Sequence, residues 1–163
     1  MSPAADYFRA EQAEGLVFIA CGLLALGVAV AGWTLWRKPF MAGMAWPLAL
    51  VAAIQLVVGA TVWWRSPQDL QRVQTWVQQA PERLRREEIP RMQAVMRNFV
   101  LYRWVELAVL LAGVLLLVLA APGSGWRGAG LGMAVQGGLM LLLDYFAEQR
   151  GHAYLAFLHE LTR

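Results

Sequence analysis

The chain has 163 residues, 59% of them hydrophobic and 15% charged, against roughly 25% charged in soluble domains, and its mean hydropathy is +0.47. This composition excludes an ordinary water-soluble globule, and a formal net charge of +3 does not mark a nucleic-acid binder. A single cysteine, Cys21, excludes a disulfide framework, a C-x-x-C redox pair and a cysteine-rich zinc site.

Ahead of Gly15 the chain carries Asp6, Glu11 and Glu14 against Arg9, and an uncharged run then extends from Gly15 to Trp36. That run is longer than the apolar core of a signal peptide and predicts a retained membrane helix over 15–36. Further uncharged runs cover Pro39–Trp64, Leu107–Trp126 and Gly128–Leu143. A crossing needs about 20 residues, so spans are expected at 43–64, 104–122 and 128–147, the last extended through Asp144. The expected fold is an all-α integral membrane protein: one membrane domain with four transmembrane helices and a cytoplasmic amphipathic helical segment between helices 2 and 3. A helix or tail over 148–163 follows the fourth crossing.

The polar segment 65–103 holds eight Arg and four acidic residues. Ser66-Pro67-Gln68-Asp69 has the pattern of a helix start, with Ser66 as N-cap and Pro67 at the first helical position. Leu70, Val73, Val77, Ala80 and Leu84 then recur at spacings of three and four with Trp76 on the shoulder, which predicts an amphipathic helix. Pro81 and Pro90 are expected to kink or restart it, and Met92, Met96 and Phe99 continue the apolar stripe toward the membrane or a partner. Glu82/Arg86 and Arg83/Glu87, at i,i+4, favour a solvated helix.

Four crossings place Arg9, the eight Arg of 65–103, Arg150 and Arg163 on one side, and Arg37, Lys38 and Arg127 on the other. This bias predicts cytoplasmic N- and C-termini in a bacterial-type inner membrane. Trp33, Trp36, Trp46 and Trp126 are expected at the outer interface, and Trp63, Trp64 and Trp104 at the inner one.

Glu14, Arg65, Arg103, Glu106, Asp144 and Glu148 are expected at similar depth near the inner ends of the crossings, with His152 beyond. Intramembrane charge is costly and marks a ligand site, although structural pairing such as Arg103 with Glu106 at i,i+3 accounts for the same residues. Asp144, Glu148 and His152, at i,i+4,i+8, are weak candidates for metal ligands; the duplicated Glu-x-x-His pattern of di-metal bundles is missing and Gly151 is expected to break the helix, so no metal or cofactor is expected. Gln55 and Gln136 are expected to bond across helices, while the Gly128-x-x-x-Gly132 spacing and the Cys21, Ala25, Ala29 stripe predict close packing.

Serine is scarce, both histidines fall near the C-terminal end, and no nucleophile or phosphate-loop motif occurs, so no catalytic residue is assigned. The leading expectation is a non-enzymatic protein that binds a membrane or toxin-like protein partner, or assists an assembly, through Leu70, Val73, Trp76, Val77, Leu84, Arg85 and Arg86. Its companions would be the lipid bilayer and a protein partner or second copy, with no nucleic acid. The alternative is binding or carriage of a small molecule, ion or lipid headgroup at the charged cluster. A lipid-modifying enzyme using Glu106 and Asp144 comes third.

Overall fold

Residues 3–162 are described by a computed structural model, in which nearly every residue is helical. Helix α1 (Pro3–Ala31) runs into a π-helical turn, Gly32–Trp36; α2 is Pro39–Gln79; α3 is a single turn, Pro81–Arg83, followed by a second π-helical stretch, Leu84–Glu88; α4 is Ile89–Leu119 and α5 is Gly125–Leu161. Four of the helical stretches are long and apolar enough to cross a membrane. Helices suit these uncharged runs because in lipid the backbone must satisfy its own hydrogen bonds.

The helices are much longer than a bilayer requires. α2 has 41 residues, about 60 Å at 1.5 Å per residue, whereas the hydrocarbon layer is about 30 Å thick. The surplus of all four lies at one end, where Ala4 and Phe8 of α1, Val73 of α2, Leu84, Ile89, Met92 and Met96 before and within α4, and Tyr154 and Leu158 of α5 form one buried apolar core. Tyr7 stacks on Tyr154 with ring centroids 4.3 Å apart. The chain therefore has an apolar spanning part and, continuous with it, a charged end with its own core.

Within the spanning part α1 packs along α2, α2 along α5 and α5 along α4, while α1 touches α5 only lightly. Close approach depends on glycine: a Cβ on Gly59 would lie 2.7 Å from the Gly15 carbonyl, and one on Gly128 only 1.8 Å from the Phe40 carbonyl. The Gly128-x-x-x-Gly132 pair thus packs α5 onto α2 within the chain. Gln55 Nε2 donates to Gln136 Oε1 at 3.3 Å, both side chains being buried, the interhelical bond that the sequence suggested. At the opposite end from the charged core, Arg37 takes a left-handed φ of 45° to close the short α1–α2 turn, and Ser124 caps α5 by accepting the Arg127 N–H at 3.3 Å.

Several local expectations are corrected. The segment 65–103 is continuous with the apolar helices on both sides of it: it comprises the end of α2, a restart at Pro81 and the beginning of α4. Ser66 caps nothing: α2 passes through Pro67, and the Ser66 hydroxyl lies 2.8 Å from both the Val62 carbonyl and Glu11 Oε2. The turn survives Pro67 because contacts outside the backbone hold it, with Asp69 accepting from Arg65 at 3.1 Å and Arg72 at 2.9 Å. Met92 and Met96 face the chain's own core rather than lipid or a partner. Gly151 does not interrupt α5; it is buried, and an added Cβ would lie 2.8 Å from Met96 Sδ.

A candidate ligand cleft between the third and fourth spans

Phe99, Arg103 and Glu106 recur at helical spacing on α4, and Leu141, Asp144, Tyr145 and Glu148 do the same on α5. Antiparallel packing of α4 on α5 brings the two stripes together around a cavity of about 120 Å³. Glu106 lies one residue before the uncharged run that starts at Leu107, and Asp144 one residue after the run that ends at Leu143. The cavity thus sits where the apolar spans meet the charged end. Trp104, beside Arg103, is 68% exposed, as an interfacial anchor would be.

The charges inside the cleft are unequally partnered. Arg103 forms an ion pair with Glu148 across the helices. Glu106 is only 9% exposed, its carboxyl hydrogen-bonds that of Asp144, and its Oε2 has no hydrogen-bond partner among the described residues. A buried carboxyl oxygen without a donor forfeits a free energy of order 1–3 kcal/mol, so this atom is the unsatisfied acceptor of the cleft.

Only part of the expected cluster converges. Arg103, Glu106, Asp144 and Glu148 line the cleft. Glu14 instead pairs with Arg150, and Arg65 reaches Asp69 and, at 3.6 Å, Glu11. His152 stands 3.7 Å from Glu148 with its side chain 62% exposed. Among the described residues no three His, Cys, Asp or Glu side chains come close enough to share a metal ion.

The expected docking stripe is largely consumed by the fold. Val73 and Leu84 are fully buried, and Leu70 and Trp76 pack against the same core, with the Arg72 guanidinium 5.3 Å above the Trp76 ring. Val77, Arg85 and Arg86 remain exposed, and Arg85 donates to the Thr162 carbonyl. A wider hollow of about 550 Å³ at the tip is lined by Arg85, Ile89, His159 and Thr162, none of them a buried, unpartnered polar group.

Sequence reasoning missed a second buried ionic centre. Glu88 is fully buried; it accepts from Arg91 at 2.6 and 3.0 Å and from the Tyr154 hydroxyl at 3.1 Å, and Arg72 approaches to 3.9 Å. The i,i+3 spacing of Glu88 and Arg91 was visible, but Tyr154 comes from 66 residues away. Phe99, Leu141 and Tyr145 were also missed as cleft walls, although their spacing with Arg103, Glu106 and Asp144 marked two helical faces.

Fold and composition define a multi-pass membrane protein with a helical extension at one end. No family model, curated protein or solved structure matches the chain.

Proposed function

We propose that this is a non-enzymatic membrane protein that binds a small ligand or lipid headgroup in the α4–α5 cleft, on the cytoplasmic side of a bacterial-type inner membrane. The observation that carries the proposal is the buried Glu106 carboxyl group, which meets Asp144 in a cavity and has an oxygen without a donor. Polar groups buried at membrane depth are expensive and accompany function more often than they accompany packing alone. The orientation rests on the Arg distribution, since the charged end collects most of the basic residues and the opposite turns hold only Arg37, Lys38 and Arg127. Docking of a protein partner is less favoured because Val73 and Leu84 are occupied in the core.

Native mass spectrometry of the protein released gently from its own membrane tests the proposal. Wild type is expected to retain a non-protein mass at about one per chain, and the Glu106→Gln, Asp144→Asn double variant to lose it while keeping its helical circular dichroism. Equal retention by both proteins, or a bare wild-type chain, overturns the proposal.

A further inference from the structure

We infer that the cleft takes a primary ammonium group, an assignment that rests on ligand binding there as proposed above. The Glu106 and Asp144 carboxyl groups lie against each other. Arg103, the guanidinium that lines the cavity, is engaged by Glu148. The lining carries three carboxyl groups against one guanidinium, and Glu106 and Asp144 hydrogen-bond each other only by sharing a proton, so a cation that takes that proton's place is the group the cleft accepts. The partnerless Oε2 of Glu106 adds a sharper demand, for a cation that donates a hydrogen bond.

The walls select among cations. A bare metal ion of the hard type requires about six oxygen ligands, and among the described residues no three His, Cys, Asp or Glu side chains come close enough to share one, Glu148 being engaged by Arg103. Phe99, Leu141 and Tyr145 supply aromatic and aliphatic surface instead, which suits the carbon atoms beside an ammonium and allows its charge to lie near a π face. A volume of about 120 Å³ admits a headgroup of a few heavy atoms. A primary ammonium donates three N–H bonds, enough for Glu106 Oε2 and Asp144 together. A quaternary ammonium carries the same charge without a donor and leaves Oε2 unsatisfied. Arg103 beside the pair offers a zwitterionic headgroup a counter-charge for its phosphate, by exchange from Glu148.

The source of the ammonium is either a lipid such as phosphatidylethanolamine or a soluble amine, and the test separates them. Protein delipidated in detergent is titrated by native mass spectrometry with phosphatidylethanolamine, phosphatidylcholine, phosphatidylglycerol and, separately, soluble ethanolamine. Each titration is repeated with Glu106→Gln and Asp144→Asn, whose fold is checked by circular dichroism. The expected result is preferential binding of an amine-bearing probe and an affinity loss of about ten- to a hundredfold in either variant, as for loss of a charge-assisted bond. Preference for phosphatidylethanolamine over ethanolamine assigns a lipid source, and the reverse a soluble one. If phosphatidylcholine or phosphatidylglycerol binds as well as the amines and the variants lose it, the ammonium assignment falls while ligand binding in the cleft stands. If the variants bind every probe as wild type does, both fall.

Discussion

Glu88 holds the charged end together from inside its core. Its carboxylate takes both hydrogen bonds of the Arg91 fork and a third from Tyr154, so removal of Arg91 leaves a buried charge without its main compensation. Arg91→Met is expected to lower stability by about 3–5 kcal/mol, read as loss of thermal stability in detergent; a change below about 1 kcal/mol would show that the pair is solvated. Tyr7 and Tyr154, beyond the ends of the spans, have phenol pKa values raised above the ordinary 10, first by burial and then by the nearby Glu11 and Glu88 charges respectively. A tyrosine whose folded pKa is raised contributes stability below its unfolded pKa and loses it as pH rises toward the folded value. Stability is therefore expected to fall above about pH 10, and Tyr154→Phe to flatten that fall while weakening the protein slightly at neutral pH through the lost bond to Glu88. Melting temperatures across the alkaline range check this, and an unchanged slope in Tyr154→Phe would contradict it.

At the scale of elements, the spans were legible in the sequence and their ends were not. Uninterrupted apolar runs fix where a chain crosses lipid because charge is excluded there, and the Gln55–Gln136 bond followed from two amide side chains placed within uncharged runs. Boundaries failed where tertiary contacts overrode a local signal. Ser66-Pro67 has every mark of a helix start, yet Glu11 on α1 takes the Ser66 hydroxyl and Asp69 locks two arginines on the same turn. Gly151 marks a close approach to Met96 rather than a break. The stripe from Leu70 to Leu84 was recognised as apolar, but whether it faces lipid, a partner or the chain itself depends on helices far away in sequence. For the same reason the candidate cluster was seen as six residues at one depth, and the structure separates it into three groups. The glycine contacts yield a direct check: Gly128→Ala places a methyl against the Phe40 carbonyl and is expected to cost at least about 1–3 kcal/mol. Gly27→Ala, with nothing within 4 Å of the added Cβ, is expected to be neutral or to gain up to about 1 kcal/mol from helix propensity. Thermal unfolding of the two variants measures the contrast, and equal stabilities would mean that α2 and α5 are not in contact at Gly128.

Across the whole molecule, the proposed function rests on the junction of an uncharged part and a charged part. The uncharged runs end at Glu106 and Asp144, and beyond them the same helices continue into a bundle held by Phe8, Val73, Leu84, Met92, Tyr154 and Leu158. The proposed cleft at this junction would suit amphiphilic ligands, which place a charged head and an apolar tail on either side of such a boundary. Its depth is the claim on which the ligand chemistry depends. The most direct measurement is the accessibility of a nitroxide at Phe146, half-exposed beside Tyr145, to oxygen and to a water-soluble nickel chelate in a bilayer. The label is introduced as Phe146→Cys in a Cys21→Ser background and calibrated against labels at Leu115 and Arg86. An intermediate depth for 146, between a lipid-buried 115 and an aqueous 86, is the expected result. A label at 146 as hidden from the chelate as that at 115, or as open to it as that at 86, would contradict a cleft at the membrane boundary.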